Sequence, residues 1–185
     1  MGVGGLRVAG QRAVFLDRDG VLNQAIVRDG KPYPPASVDD LIIVPDAPAS
    51  LESLKQAGFR LLVVTNQPDI SRGTQAQAAV EAIHQALQQA LPLDDFFLCP
   101  HDDSDHCNCR KPRPGLLLQG AEKYPIDLSR SFMVGDRWRD IEAGASAGCA
   151  TVWIDFDYRE KRSSVEPSAT VNSLSAAVDW ILRQP

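Results

Sequence analysis

The stretch AVFLDRDG at residues 13–20 sets four apolar residues directly before two aspartates and a glycine. A short apolar run that stops abruptly at charge predicts a buried strand. Positions i and i+2 of an extended strand point to the same side, so Asp17 and Asp19 face one crevice. One carboxylate can then attack phosphorus while the other gives a proton to the leaving oxygen. Gly20 lets the backbone turn sharply away. An Asp-x-Asp-Gly tetrapeptide alone is a common turn; its place after AVFL gives it weight.

Outward from this stretch, apolar runs and helical patterns alternate. LIIV at 41–44 is a further apolar run. Asp46 and Pro48 open a helix with Leu51, Leu54 and Ala57 at helical spacing, and Gly58 ends it. RLLVV (60–64) reads as a buried strand ending at Thr65-Asn66. Thr74 is expected to cap a second helix whose inward stripe is Val80, Ile83 and Leu87. Phe96–Leu98 is a short strand, followed by a helix from Pro114 with Leu117, Leu118 and Ala121. SFMV (131–134) is a strand, 138–147 a helix closed by Gly148, 151–154 a strand and 173–183 a terminal amphipathic helix. This alternation predicts an α/β, Rossmann-like parallel sheet with helices on both faces. Ligands of such sheets sit outside the carboxyl ends of the strands, where Asp17, Thr65 and Asp136 fall.

With 185 residues, one domain with a sizeable core is expected, spanning 13–185 after a flexible leader at 1–12. The glycine-rich leader has no continuous apolar segment of the signal-peptide kind, and Leu6 stands where a myristoylation motif wants Ser or Thr. No apolar run approaches the ~20 residues of a membrane span. A cytoplasmic, monomeric protein with no membrane partner is the expectation. The net charge of −5 gives no basic field for nucleic acid, so an anionic substrate needs local help from a metal, a few cations and helix N-termini.

Several residues can give that help. Asp136, in VGDRWRD, follows an apolar strand, and Asp140 lies four residues later. Asp17, Asp136 and a carbonyl at Asp19 would suit Mg²⁺, a hard cation that takes oxygen ligands. For Asp140, structural hydrogen bonding and a metal role stand level. Thr65 and Asn66 offer a hydroxyl and an amide to phosphate oxygens, and Lys111 a point charge. Cys99, His101, Cys107 and Cys109 form a closed set of three thiolates and one imidazole suited to structural Zn²⁺. His106 is the competing imidazole, but its place beside Cys107 makes joint ligation awkward. Since Lys111 follows Cys109 by two residues, a zinc-pinned loop would fix the phosphate-binding lysine. His84 reads as a solvent-facing helix residue, Cys149 as a small buried side chain and Trp153 as near-core.

The set FLDRDGVLN (15–23), VVTNQ (63–67), CRKPRPG (109–115) and VGDRWRD (134–140) resembles the four motifs of the haloacid dehalogenase superfamily, in order and spacing. The resemblance implies Asp17 as nucleophile and Asp19 as general acid and base. It further implies Thr65 and Lys111 on the phosphoryl group, with Asp136 joining Asp17 at Mg²⁺. The Cys/His loop before RKP is similar to that of heptose 1,7-bisphosphate and histidinol-phosphate phosphatases. DGVLN, the Ile70–Gly73 turn after TNQ and KPRPG lie nearer the heptose group, although Pro68-Asp69 replace the usual Ser and Gly. The expected substrate is therefore a small phosphorylated sugar. Sheet and helices use most of the chain between the motifs, so no cap domain is expected. Loops near 20–40, 66–73 and 99–113 must select the substrate, with Arg72 and Arg110 as its cationic contacts. Two other classes remain open: a zinc-stabilised nucleic-acid module, opposed by Asp102, Asp103 and Asp105, and a sugar-phosphate sensor, which would need no Asp17/Asp19 pair.

Overall fold

The structure, a computed structural model, describes residues 10–185. In chain order it comprises β1 (Ala13–Leu16), β2 (Ile26–Arg28), β3 (Lys31–Tyr33), α1 (Ala47–Gln56), β4 (Arg60–Asn66) and α2 (Gln77–Ala90). These are followed by β5 (Asp95–Cys99), α3 (Gly115–Lys123), β6 (Phe132–Gly135), α4 (Trp138–Ala147), β7 (Ala150–Ile154), β8 (Ala169–Val171) and α5 (Leu174–Leu182). Six strands form one parallel sheet in the order β5-β4-β1-β6-β7-β8. The expected α/β, Rossmann-like architecture is what the chain adopts.

All four residues of β1 are buried, as a strand covered on both faces requires. Val14 and Leu16 join the core under α1, α2 and α5, with Leu51, Leu54, Ile83, Leu87 and Ile181. Ala13 and Phe15 join the core under α3 and α4, with Leu116, Leu117 and Ala143. The chain leaves β1 towards β4 on one side and later fills β6 on the other. β1 therefore stands where the strand order reverses, the place at which such sheets open a crevice. The chain between β1 and α1 adds only the antiparallel β2–β3 hairpin and a 3₁₀ turn, Val38–Asp40; no cap domain stands among the described residues.

Two local expectations, at Thr74 and His84, need correction. Thr74 does not cap α2: its hydroxyl donates to the Asp69 carbonyl at 3.3 Å, and the helix starts at Gln77 with Ala76 in flanking position. The 68–74 turn has taken the hydroxyl that a cap would need. Leu118 is 47% exposed, because α3 presents Leu116, Leu117 and Gly120 to the sheet. A Cβ at Gly120 would lie 2.9 Å from the Phe15 ring, so the bare glycine sets the line of closest approach and turns Leu118 outward. His84 does not face solvent; it stacks on Phe96 with ring centroids 4.7 Å apart, and its Nε2 is buried. Residues 1–9 of the expected leader lie outside the described residues. At its end, Gln11 donates its backbone N–H to Pro125 at 2.7 Å.

Candidate active site

The floor of the crevice is built from strand ends. Asp17 directly follows β1, and its N–H donates to the Val134 carbonyl at 2.9 Å, which continues the β1–β6 ladder into the site. Lys111 reaches the floor from the loop after β5. Its ammonium lies 2.7 Å from Asp17 Oδ1 and 2.6 Å from Asp140 Oδ1, and it also donates to the Val64 carbonyl at 2.7 Å. The lysine is 2% exposed, so three acceptors hold it with little competition from water. Asn66 fixes the same residue through its backbone: its amide donates to the Lys111 carbonyl at 3.0 Å and accepts the Lys111 N–H at 3.1 Å.

Asp17, Asp136 and Asp140 each place one carboxylate oxygen within 4.8 Å of the others. Neither oxygen of buried Asp136 makes a well-formed hydrogen bond; the Tyr158 hydroxyl stands near enough to favour its ionised form but leaves the carboxylate under-satisfied, a state that calls for an ion or water. Gly20 opens this corner. With φ of +91°, its missing Cβ would fall 1.9 Å from Asp136 Oδ2. Three hard oxygen donors, the under-satisfied Asp136 among them, fit a divalent cation of the Mg²⁺ type.

Electrostatics express the crowding. Burial pushes the Asp17 carboxyl up to about 6 against the pull of Lys111, with Asp140 and Asp19 adding to the rise. Burial, and then the charges of Asp17 and Asp140, hold Asp136 well above the usual carboxylate range. Burial alone would lower the Lys111 ammonium, but Asp140 and Asp17 outweigh it and keep it above its ordinary value. A cation among these carboxylates would favour the ionised forms of Asp17 and Asp136.

Asp19 faces donors on every side. It accepts from Arg18 Nε at 3.1 Å and Nη2 at 3.0 Å, from Asn23 at 3.0 Å and from Gln67 at 2.8 Å. The Gln67 amide also donates to Thr65 Oγ1 at 2.8 Å, so this one side chain ties the end of β4 to the loop after β1. Sequence reading missed Arg18, Asn23 and Gln67, although they lie inside the motif windows that contain Asp19 and Thr65.

Above the floor, a cavity of about 400 Å³ reaches from Asp17 and Lys111 to a rim of arginines and the β2–β3 hairpin. The two rim cations expected from sequence, Arg72 and Arg110, both line it, and both hold acidic residues of the Cys/His loop. Arg72 meets Asp102 at 2.6 Å and Asp69 at 3.3 Å; Arg110 meets Asp103 at 2.8 Å. The negative charge that Asp69 brings is thus balanced locally. Arg139 and Arg137, not expected as site residues, line the same cavity.

The Cys99, His101, Cys107 and Cys109 ligand atoms also lie within 4.8 Å of one another. Sulfur–sulfur distances are 3.0–3.6 Å, and His101 Nδ1 is 3.6 Å from Cys99 and 3.4 Å from Cys109. Three sulfurs and one nitrogen at this closeness fit a tetrahedral Zn²⁺ centre. His106 stands outside the group, in left-handed backbone conformation. The same segment carries Asp102, Asp103 and Arg110, so a metal held by this cluster would stiffen the loop that forms one wall of the cavity.

Residues 33–148 match the family model for haloacid dehalogenase-like hydrolases. The chain belongs to this family. That match begins after Asp17 and Asp19. The chain is 38% identical to a D-glycero-beta-D-manno-heptose-1,7-bisphosphate 7-phosphatase of Bordetella bronchiseptica over 151 residues, covering 77% of this chain and 79% of the relative. It is 37% identical to the protein of the same description from Pseudomonas aeruginosa, with 76% and 79% covered. Among solved structures, the fold is similar to a D,D-heptose 1,7-bisphosphate phosphatase of B. bronchiseptica complexed with magnesium and phosphate. That likeness has a TM-score of 0.75 at 32% identity and covers 94% of this chain and 99% of the other. No described helix is long and apolar enough to cross a membrane.

Proposed function

We propose that this haloacid dehalogenase-like hydrolase is a phosphomonoesterase that removes the 7-phosphate of D-glycero-D-manno-heptose 1,7-bisphosphate through a phosphoryl intermediate on Asp17. The observation that carries the reading is Lys111 wedged between Asp17 and Asp140 beside the under-satisfied Asp136 carboxylate. Such a floor suits a group whose negative charge must be neutralised before a carboxylate can approach it. The relatives and the neighbouring structure named above support the substrate class.

In this mechanism an Asp17 oxygen bonds to phosphorus as the bond from phosphorus to the sugar oxygen breaks. Asp19, carrying a proton, gives it to the leaving oxygen. Asp19 then takes a proton from a water that attacks the same phosphorus, which frees phosphate and restores Asp17. Lys111 holds the phosphoryl oxygens as a point charge with Thr65 beside it, and Asn66 positions Lys111 through its backbone. Asp17, Asp136 and the Asp19 backbone carbonyl would hold Mg²⁺, which supplies charge neutralisation to the transferring group. Arg72 and Arg110 face the remainder of the sugar. Cys99, His101, Cys107 and Cys109 would hold structural Zn²⁺. A single-domain, cytoplasmic, monomeric enzyme with a small phosphorylated sugar as its partner is the form that goes with this reading.

Magnesium-dependent phosphate release from heptose 1,7-bisphosphate and from histidinol phosphate, with Asp17→Asn as the blank, tests it. Preferential turnover of the heptose, lost by a factor of ~10³ or more in Asp17→Asn, is expected. Full activity in Asp17→Asn would sink the mechanism, and preference for histidinol phosphate would move the substrate. Metal analysis of purified protein should find about one zinc per chain, sharply reduced in Cys109→Ser; zinc-free wild type with native activity would remove zinc from the account.

A further inference from the structure

Six cations line the cavity in front of Asp17, and five of them already face carboxylates. Lys111 lies on Asp17 and Asp140, Arg72 on Asp69 and Asp102, and Arg110 on Asp102 and Asp103. Arg139 lies on Asp103 and Arg137 on Glu160. Lys31 is the cation of this cavity without an ion pair among the described residues. The same walls carry six carboxylates, so they are formally neutral as a whole. A sugar bisphosphate brings two phosphate groups of about −1.5 to −2 charge each. Lys111 and the carboxylate cradle serve the transferring group. The second group meets arginines that already face carboxylates and must share them with those partners.

Lys31 is also held in place. It opens β3 directly after the hairpin turn, where Asp29 and Gly30 have φ of 52° and 74°, the pattern of a tight two-residue turn. Arg159 packs against that turn and donates its backbone N–H to the Gly30 carbonyl at 2.8 Å. Past the other end of the hairpin, the Gln75 amide donates to the Pro35 and Ala36 carbonyls, each at 3.0 Å. The backbone beneath Lys31 is thus fastened on both sides, while its side chain remains exposed and unpaired.

We infer that Lys31 determines specificity by receiving the second anionic group of a bisphosphorylated substrate, the one that stays on the sugar. The inference rests on the phosphatase reading above and assigns a residue to the end of the substrate that does not react. A flexible ammonium with three rotatable donors suits a phosphate at some distance from the reacting centre, where no fixed bidentate geometry is imposed.

The test compares kcat/KM for heptose 1,7-bisphosphate and for the 7-monophosphate of the same sugar. In Lys31→Gln the ratio between the two substrates should fall about tenfold through KM, and Lys31→Arg should restore most of it. An unchanged ratio, or a ratio that changes only in Arg72→Ala or Arg110→Ala, overturns the assignment. A second measurement separates it from the reaction itself. Heptose 1-phosphate, which carries only the non-reacting group, is titrated calorimetrically into Asp17→Asn with and without Lys31→Gln. About tenfold weaker binding in the double variant supports Lys31 even if the wild type releases no phosphate, an outcome that would sink the phosphatase reading alone. Equal binding in the two variants overturns the assignment of Lys31.

Discussion

The floor and the rim of the cavity use the same ingredients, aspartates paired with cations, to opposite physical effect. On the floor, Lys111 is 2% exposed and sits between two carboxylates, with a third close by. On the rim, Arg72 keeps 46% of its side chain in water and its partner Asp102 27%. Buried charges cannot fall back on solvent, so removing one leaves the others uncompensated. Exposed pairs exchange with water at little cost. The floor is therefore an interdependent unit, whereas the rim is a set of separable contacts that can be exchanged for a ligand.

Lys111→Met tests the contrast hardest. It should cost about 3–5 kcal/mol of stability in magnesium-free urea unfolding, the scale for breaking a buried ion pair; a loss below ~1 kcal/mol would erase the distinction between floor and rim. An intermediate effect belongs to His84, behind the floor on α2. Burial, and then the Arg18 charge, push its imidazole down to about 4 from an ordinary 6.5. Below pH 6.5 the unfolded chain takes a proton that the native state refuses, so stability is fully present above 6.5 and declines as pH falls towards 4. The decline between pH 7 and 5 should be shallower in His84→Phe by about 1–2 kcal/mol. Parallel pH curves for the two proteins would mean that the native imidazole titrates normally. The smallest effect is expected on the rim, where Arg72→Ala should lose less than ~1 kcal/mol of stability. A larger loss would show that the rim is part of the folded core's electrostatics.

The contrast also explains what could be read in advance. Asp17, Asp136 and Lys111 were legible because each sits directly after an apolar strand or beside the Cys/His loop, and the end of a parallel strand points into the crevice. The Cys99, His101, Cys107 and Cys109 grouping was legible because ligand spacing is local. Helix 138–147 with Gly148 as its stop matches α4 and its left-handed end at Gly148. The Thr74 cap failed because a turn competed for the hydroxyl. His84 was wrongly placed in solvent because its aromatic partner, Phe96, belongs to another element. Asn66 was expected to face phosphate oxygens; the structure shows its amide holding the Lys111 backbone.

By itself the sequence determined the alternation of strands and helices, the family, and which side chains gather at the crevice, since these rest on short-range patterning. Only the tertiary structure decided how those side chains are shared out. It set Asp140 against Lys111, balanced Asp69 with Arg72, and left Lys31 unpaired above the cavity. These are contacts between loops far apart in the chain, and no local pattern encodes them, because loop packing, not strand periodicity, sets which charges meet.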